Sequence, residues 1–462
     1  MFFQQVYDKS LAQASYVIGC QVTGEAIVVD AKRDVDTYLD LAKQNKLSIV
    51  KVTETHIHAD FLSGTQELAA LTDARIYLSD EGGADWQYEY PHVGLKDGDV
   101  IHIGNISLKI IHNPGHTPES ISFLITDHPA SAEPVIILTG DFVFVGDVGR
   151  PDLLQKAAGI ANSQTECAEQ MYHSLNKFSA LPDFVQLWPG HGAGSACGKA
   201  LGAVASSTIG YEKIRNWALE NTSKQDFIHN LLSGQPEPPT YFAQMKKLNK
   251  VERPLLLEVP KVPLLTNKQF VDLFNEGAQI VDTRAKIEFS ADHLAGTYNI
   301  QGNNSLGTWC GWILNYEQPI VLIAKEEKLE DLMRKLMRIG MDHVVGYIPS
   351  IEDVDLPKSN YEVIDLDTFR TFMHDETAQI YDVRNQNEFE KEHVKGAKNV
   401  FVGTLIKNLA EIDPSKNSIL YCQSGDRTAI ASSLLLKNGF TNMKVYFEGM
   451  NEITTKDRSI LV

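Results

Sequence analysis

The chain has 462 residues, of which 60 are acidic and 42 are basic, so its formal net charge is −18. This charge argues against a nucleic-acid-binding surface, and the 43% hydrophobic and 22% charged residues are typical of a soluble globular protein. There is no long apolar run and no basic N-terminal segment followed by one, so we expect a cytoplasmic protein without a membrane partner. The length predicts roughly two to four domains.

Strand and helix patterns interleave over the first part of the chain, which predicts an α/β fold. Strands are predicted at 16–19, 26–30 and 49–52, a hairpin at 100–112 around the turn Gly104-Asn105, and strands at 121–125 and 135–138. Helices are predicted near 35–44, 64–71 and 164–178.

The stretch Thr55-His56-Ile57-His58-Ala59-Asp60 follows the apolar run at 49–52. On an extended segment alternate side chains point to one side, so His56, His58 and Asp60 are expected to converge on a cation. A buried, hydrogen-bonded histidine without a metal is the structural alternative. Further ligands must come from elsewhere in the chain.

Three later stretches place metal-binding side chains on loops next to apolar runs. They contain His116 in Asn113-Pro114-Gly115-His116-Thr117, Asp141 in Thr139-Gly140-Asp141, and His191 in Trp188-Pro189-Gly190-His191-Gly192. Loops held by a rigid sheet are a common place for a metal cluster.

The motifs HxHxD, GHT, TGD and PGH, in this order, resemble those of the metallo-β-lactamase superfamily over about residues 1–240. The resemblance implies an αββα sandwich with a metal at one edge, and the segment Gly146-Asp147-Val148-Gly149-Arg150-Pro151-Asp152 resembles the persulfide dioxygenase branch. That branch implies three metal ligands, which are His56, His116 and Asp141. It also implies three residues that hydrogen-bond around these ligands, which are His58, Asp60 and His191.

Phe61 stands where hydrolytic, two-metal members of the superfamily carry a further histidine. A phenyl ring has no lone pair, so the second metal site lacks a ligand that a two-metal hydrolase needs. Two histidines and one carboxylate around a single cation with open positions are typical of non-haem Fe(II) oxygenases. We therefore expect one Fe(II) per chain, with O₂ and a persulfide as substrates.

Three more residues of this region are candidates for the site. Tyr172 matches a family tyrosine near the open coordination positions, and a core-facing helix aromatic is the alternative. Arg150 is expected either to bind an anionic substrate tail or to form a salt bridge with an acid such as Asp152. Cys197 lies in a loop of Gly, Ala and Ser six residues after His191, where a thiol is placed to handle sulfur unless it is a small buried residue.

A Pro-rich stretch is predicted to form a linker at 241–262, and beyond it the sequence repeats at an offset of 100 residues. The segment 279–284, with His293 downstream, parallels 379–384 with His393. Such a period indicates a duplicated domain. We expect two small α/β domains with parallel sheets, at 263–352 and 353–462.

In the second repeat, the loop Cys422-Gln423-Ser424-Gly425-Asp426-Arg427 lies between an apolar strand and a predicted helix at 428–436. A cysteine in a turn of N–H groups at a helix N-terminus lies in a positive potential that favours thiolate. This region resembles a rhodanese. The resemblance implies that Cys422 becomes a persulfide, that Arg427 and the loop from Gln423 to Asp426 bind an anionic sulfur compound, and that Asp382 and Arg384 give structural support.

The first repeat differs at the decisive position. Aligning 320–323 with 418–421 places Ala324 where the second repeat has Cys422. Without a thiol there is no sulfur acceptor, so we expect a catalytically silent spacer or docking module. Cys310, the cysteine of this repeat, is expected to be packed.

The whole chain resembles bacterial fusions of a persulfide dioxygenase with an inactive and an active rhodanese. This implies oxidation of a low-molecular-weight persulfide by O₂ to sulfite, conversion of sulfite to thiosulfate at Cys422, a role in sulfide detoxification, and a homo-oligomer (a dimer or tetramer). Two alternatives stay open: a zinc-dependent thioester hydrolase of the glyoxalase II type with an attached sulfurtransferase, and a persulfide carrier or sensor that uses only Cys422. The sequence does not distinguish glutathione, coenzyme A, bacillithiol, cysteine and inorganic polysulfide as the persulfide carrier.

Overall fold

The computed structural model describes residues 1–152, 163–199, 201–220 and 223–462. The chain divides into two compact units. Unit 1 is Met1–Pro260 with Met337–Gly340, and unit 2 is Lys261–Leu336 with Met341–Val462. Among the described residues, no helix is both long enough and apolar enough to cross a lipid bilayer.

Unit 1 contains two six-stranded sheets. The strands of the first, in spatial order, are β1 (Phe2–Asp8), β2 (Gln13–Cys20), β3 (Glu25–Val29), β4 (Ser48–Thr53), β5 (Arg75–Ser79) and β6 (Val93–Leu95). The strands of the second are β7 (Val100–Ile103), β8 (Ile106–His112), β9 (Ile121–Asp127), β10 (Ile136–Gly140), β11 (Gln186–Pro189) and β12 (Ser207–Thr208). β3 to β6 run parallel, and so do β10 and β11.

The helices of unit 1 are α1 (Asp36–Gln44), α2 (Thr65–Thr72), α3 (Ser163–Ser179), α4 (Ile209–Arg215), α5 (Lys224–Leu232) and α6 (Phe242–Lys250). Alternate side chains of the two sheets, such as Ile18, Leu108 and Phe123, form a shared core between them. The opposite faces of the sheets pack against α1 and α2 on one side and against α3 and α5 on the other. The result is the αββα sandwich that the motifs predict.

The stretch predicted as a linker, 241–262, contains helix α6. Phe242 and Met245 of this helix are buried, and Tyr241 donates a hydrogen bond to the Asp60 carbonyl (3.1 Å). The linker prediction is therefore wrong for Phe242–Lys250, which form a helix whose apolar side chains are buried in unit 1. This unit extends to Pro260.

Unit 2 contains two parallel sheets of the same design. The first has β13 (Gln279–Asp282), β15 (Tyr298–Asn299), β16 (Ile320–Ile323) and β17 (Val344–Ile348) in the order β15-β13-β16-β17, and a separate pair is β14 (His293–Leu294) with β18 (Lys358–Ser359). The second has β19 (Glu362–Val363), β20 (Ala378–Asp382), β21 (Lys398–Asn399), β22 (Asn417–Tyr421) and β23 (Met443–Tyr446) in the order β19-β23-β22-β20-β21. The helices are α7 (Asn267–Asn275), α8 (Lys286–Ala291), α9 (Leu306–Ile313), α10 (Leu329–Met337), α11 (Leu366–Phe372), α12 (Gln386–Lys391), α13 (Asp426–Lys437) and α14 (Gly449–Lys456). Helix α10 ends at the first residue of the short segment that belongs to unit 1.

Equivalent residues of the repeats make equivalent contacts. Arg284 pairs with Asp282, and Arg384 pairs with Asp382 in the same geometry. Gln279 lies opposite Ile320, as Gln379 lies opposite Ser418, so the register places Ala324 at the position of Cys422. The strand alignment made from sequence is confirmed by this register.

Replacing Arg384 with Leu is expected to destabilise the second repeat strongly. Asp382 is fully buried and Arg384 is 4% exposed, so the substitution leaves an unpaired carboxylate in the core. The expected cost is about 3–5 kcal/mol, seen as a lower temperature for one unfolding transition in calorimetry. Arg458→Leu is the control, because its ion pair with Glu392 is 65% exposed at the arginine and should contribute less than about 1 kcal/mol. Equal shifts for the two variants would contradict the expectation.

Candidate functional site

Four loops meet at one edge of the sandwich in unit 1. One follows β4, one joins β8 to β9, and two follow β10 and β11. β8, β10 and β11 run in the same direction, so their carboxyl ends lie at one edge of the second sheet. A hydrogen bond from the Ile121 N–H to the Thr55 carbonyl (2.8 Å) joins this edge to the loop after β4.

These loops bring His56, His116 and Asp141 together, and all three are buried. One ligand atom from each lies within 4.8 Å of the others. His56 Nε2 is 3.9 Å and His116 Nε2 is 3.6 Å from Asp141 Oδ2, distances too long for hydrogen bonds but suited to donors around a common ion.

Hydrogen bonds behind the histidines set their orientation. His56 Nδ1 lies 3.0 Å from the Thr55 hydroxyl, which donates to Asp30 Oδ2 (2.9 Å). His116 Nδ1 lies 3.0 Å from the Arg150 carbonyl. Both bonds put the ring proton on Nδ1 and leave the Nε2 lone pair directed at Asp141, as in metal-binding histidines.

Gly140 makes this arrangement possible. Its φ of +51° is in the left-handed region, and a Cβ there would lie 2.3 Å from the Thr55 hydroxyl oxygen. Only glycine therefore lets Asp141 follow the strand so close to Thr55.

The residues fit a divalent metal. Burial lowers the pKa of His56 well below its usual range, and burial also lowers the pKa of His116. Both imidazoles are therefore neutral, which metal binding requires. Neither oxygen of the Asp141 side chain has a hydrogen-bond partner among the described residues, so a buried carboxylate faces the group without a donor.

His58 does not join this group, contrary to the spacing argument but in agreement with the position that the family resemblance implies. β4 ends at Thr53, so the alternation of an extended strand does not continue through the motif. His58 Nε2 donates to Asp30 Oδ1 (3.1 Å) instead. Burial alone would lower its pKa, but the Asp30 carboxylate outweighs burial and raises the pKa of His58 to about 9.

A second group of possible metal donors consists of Asp60, His191 and Cys197, again within 4.8 Å of one another. His191 Nε2 lies 3.3 Å from Asp60 Oδ2 and 3.5 Å from Asp141 Oδ1. Phe61 offers no donor, as expected, and its buried ring packs on His58 at 4.4 Å. Cys197 brings a sulfur atom from a distant loop to this side of the site, where Phe61 offers no donor.

The three remaining candidates of unit 1 have different surroundings. Cys197 is 2% exposed, and burial, together with the carboxylates of Asp141 and Asp60, raises the pKa of its thiol well above its usual range. Arg150 is fully buried and forms two hydrogen bonds to Asp152 (2.7 and 2.8 Å), which is the salt-bridge alternative rather than a substrate contact. Tyr172 packs on Phe227 of helix α5 with a centroid distance of 5.4 Å, as in the core alternative.

Sequence reasoning missed three residues that support the site. Asp30 accepts hydrogen bonds from His58 and from both the N–H and the hydroxyl of Thr55. Glu119 accepts one from the Ile57 N–H (2.8 Å), and burial raises its pKa to about 7. Asn249 of α6 donates to the carbonyls of His58 and Phe61 (2.8 Å each). Asp30 ends an apolar run as Asp141 does, and this signal could have revealed it.

In unit 2, the loop after β22 holds the thiol of the second repeat. Cys422 is 1% exposed, and its sulfur accepts a hydrogen bond from the Gly425 N–H (3.1 Å). Gly425 has a φ of +92°, and a Cβ there would lie 2.7 Å from the Phe447 carbonyl oxygen. The tight turn that points this N–H at sulfur therefore needs glycine, and helix α13 begins directly after it.

Arg427 of this loop and the neighbouring Arg384 are each paired with a carboxylate in the structure. Arg427 donates to both oxygens of Glu388 (2.5 and 2.8 Å), and its side chain is 17% exposed. Arg384 pairs with Asp382 and lies 3.5 Å from the Gln423 side-chain oxygen. The supporting position expected for Asp382 and Arg384 agrees with this geometry, and an anion that meets Arg427 would compete with Glu388.

Two face-to-face sheets with a His-His-Asp group at one edge define a metal-binding sandwich. The family model of the metallo-beta-lactamase superfamily matches residues 10–191, and that of the rhodanese-like domain matches residues 365–456. A crystal structure of a metallo-beta-lactamase from Staphylococcus aureus subsp. aureus COL is 44% identical, with a TM-score of 0.71 over 76% of this chain and 99% of that chain. The chain belongs to the metallo-β-lactamase superfamily and carries a C-terminal rhodanese-like domain.

Curated relatives of this chain include a persulfide dioxygenase and a probable zinc-dependent hydrolase. The mitochondrial persulfide dioxygenase ETHE1 of Bos taurus is 29% identical over 200 residues, which are 41% of this chain and 68% of that protein. The probable polyketide biosynthesis zinc-dependent hydrolase BaeB of Bacillus velezensis is 24% identical over 210 residues, or 45% of this chain and 85% of that protein.

Asp30→Asn is expected to weaken metal binding about 10–100-fold, because the amide cannot accept all three hydrogen bonds that orient His58 and Thr55. The measurement is the metal retained after dialysis against a graded series of chelator concentrations. Asp80→Asn is the matched control, since Asp80 pairs with His92 and not with a residue of the site. Equal retention in the two variants would show that Asp30 does not support the metal ligands.

Proposed function

We propose that unit 1 is an Fe(II)-dependent persulfide dioxygenase and that the second repeat of unit 2 is a rhodanese-type sulfurtransferase. The observation that carries the first half is the group of two imidazoles and one carboxylate, with Nε2 of each ring turned toward Asp141. The relationship to persulfide dioxygenases from mammals supports the same activity.

His56, His116 and Asp141 would hold the iron, which when bound supplies positions for O₂ and for the substrate sulfur. The overall reaction balances as RSSH + O₂ + H₂O giving RSH, sulfite and two protons. The S–S bond breaks and its electron pair stays with the thiol sulfur, which takes a proton to give RSH, while the terminal sulfur is oxidised and O₂ is reduced. The buried rings of Phe61 and Phe144, which lie against His58 and His191, would help to keep bulk water from the site.

Cys422 would carry sulfur in the second half. Its thiolate attacks the sulfane sulfur of a persulfide and releases RSH, so that a persulfide forms on Cys422. Sulfite then attacks the outer sulfur, and thiosulfate leaves as the Cys422 thiolate is restored. The Gly425 N–H, which donates to this sulfur in the structure, would stabilise its negative charge.

In the first repeat, Ala324 stands at the position of Cys422 in the same register. This position has no thiol, so we propose that the repeat is rhodanese-like in fold and takes no sulfur itself.

One observation favours a second candidate, a zinc-dependent hydrolase. The donors Asp60, His191 and Cys197 would complete a second cation site next to the first, and a probable zinc-dependent hydrolase is among the relatives. Such an enzyme would release thiol from a thioester without O₂.

The metal and the oxidant distinguish the two candidates. The full chain, purified without oxygen and reconstituted with Fe(II), is expected to hold about one iron per chain and to consume one O₂ per persulfide oxidised. Glutathione, coenzyme A, bacillithiol and cysteine persulfides are assayed in parallel, with a thioester as the control substrate. Thioester hydrolysis with two zinc ions and no O₂ uptake would replace the dioxygenase proposal by the hydrolase.

Cys422→Ser is expected to convert the sulfur product from thiosulfate to sulfite while O₂ uptake persists. A hydroxyl cannot form a persulfide, but the metal centre is unchanged. The products are followed by chromatography of their bimane derivatives, and Cys310→Ser, at another fully buried cysteine, serves as the control. Unchanged thiosulfate in Cys422→Ser would remove the second repeat from the reaction.

A further inference from the structure

Helix α13, which begins at the end of the thiol loop, packs against both repeats of unit 2. Its residues from Thr428 to Leu435 are buried without a break. In its last turn, Lys437 donates to the Gly296 carbonyl of the first repeat (2.8 Å) and lies over the Tyr298 ring (4.7 Å). The helix that carries the loop is thus shared between the repeats.

One side chain of the first repeat reaches the loop itself. The ammonium nitrogen of Lys286, at the start of α8, lies 2.5 Å from the Ser424 carbonyl oxygen and 2.8 Å from Asp426 Oδ1. The same nitrogen is 3.0 Å from the point that a Cβ on Gly425 would occupy. The side chain is 24% exposed, so its charge lies at the rim of the loop rather than in the core.

A second side chain of the first repeat completes the contact. Asn303 donates to the other oxygen of Asp426 (2.9 Å). Both oxygens of this carboxylate, four residues after Cys422, are therefore bound by the repeat that has no thiol.

The charge balance of the loop depends on Lys286. Arg427 is paired with Glu388, and Arg384 is paired with Asp382. Lys286 is the partner of Asp426. Without Lys286, the carboxylate of Asp426 would stand uncompensated at the rim, and an anion that approaches Cys422 would meet a net negative charge.

We propose that Lys286 is a positioning residue of the sulfur-transfer site, by which the first repeat holds the thiol loop and neutralises Asp426 so that anionic sulfur compounds can approach. The proposal rests on the proposed function of Cys422. It gives the silent repeat a part in the reaction, because the site of the second repeat is incomplete without a residue of the first.

Alkylation of Cys422 in the full chain tests the charge directly. The rates with anionic iodoacetate and neutral iodoacetamide are measured on the Cys422 peptide by mass spectrometry. In Lys286→Met the ratio of the iodoacetate rate to the iodoacetamide rate is expected to fall roughly five- to tenfold, because only the anion meets the exposed charge of Asp426. Lys286→Arg should restore the ratio.

Lys437→Met is the matched control, since it removes the same charge from the same surface between the repeats without touching the loop. Its ratio should equal that of the unsubstituted chain. Equal losses with both reagents in Lys286→Met, or the same fall in Lys437→Met, would overturn the proposal, because a general loosening of the repeats does not discriminate by charge.

Thiosulfate turnover gives the second measurement. In Lys286→Met the KM for thiosulfate is expected to rise roughly fivefold or more with kcat changed less than twofold, and Lys286→Arg should reverse it. A loss confined to kcat would overturn the proposal. If the unsubstituted chain forms no persulfide on Cys422 from thiosulfate or RSSH, the proposed function fails, whereas normal loading with an unchanged alkylation ratio in Lys286→Met defeats only the role of Lys286.

Discussion

Two buried carboxylates face the edge of the sandwich without a donor, and this is the constraint on which the rest of unit 1 depends. Neither Asp60 nor Asp141 has a hydrogen-bond partner for its side-chain oxygens among the described residues. Burial raises the pKa of Asp60, and the charge of Asp141 acts in the same direction. A buried carboxylate that lacks hydrogen-bond donors costs free energy in a folded protein, and a bound cation would offset part of that cost. Gly140 and the hydrogen bonds through Asp30 fix the positions of the surrounding imidazoles, which would be further ligands of that cation.

In unit 2, cationic side chains compensate the charge of the carboxylates around the thiol loop. The carboxylates of Asp382, Glu388 and Asp426 each have a cationic partner, which are Arg384, Arg427 and Lys286 respectively. These pairs set the charge around the sulfur atom of Cys422. The two units thus treat their carboxylates differently: Asp60 and Asp141 of unit 1 lack a hydrogen-bond donor among the described residues, whereas Asp382, Glu388 and Asp426 of unit 2 each have a cationic partner.

Local patterns in the sequence predicted most of the framework, because periodicity and turn residues act over short distances. The hairpin at 100–112 and the long helix at 164–178 agree with the structure to within about a residue. The duplicated unit and the place of Ala324 could be predicted because the strand register repeats. His56, His116 and Asp141 meet as the family resemblance implied.

Local patterns do not predict contacts between residues that lie far apart in the chain. His58 bonds to Asp30, and Arg427 pairs with Glu388, 39 residues earlier. Cys197 entered the second donor group from a loop whose path has no periodic signal. Such pairings depend on tertiary geometry, which short-range patterns do not contain.

The most direct test of the proposed dioxygenase is the identity and number of the metal ions that unit 1 binds. Crystals of the full chain grown without oxygen, with diffraction recorded on both sides of the iron absorption edge, would locate iron by its anomalous signal. We expect one iron peak per chain between His56 Nε2, His116 Nε2 and Asp141, with none among Asp60, His191 and Cys197. Two peaks of comparable height, or a single peak in the second group, would contradict it.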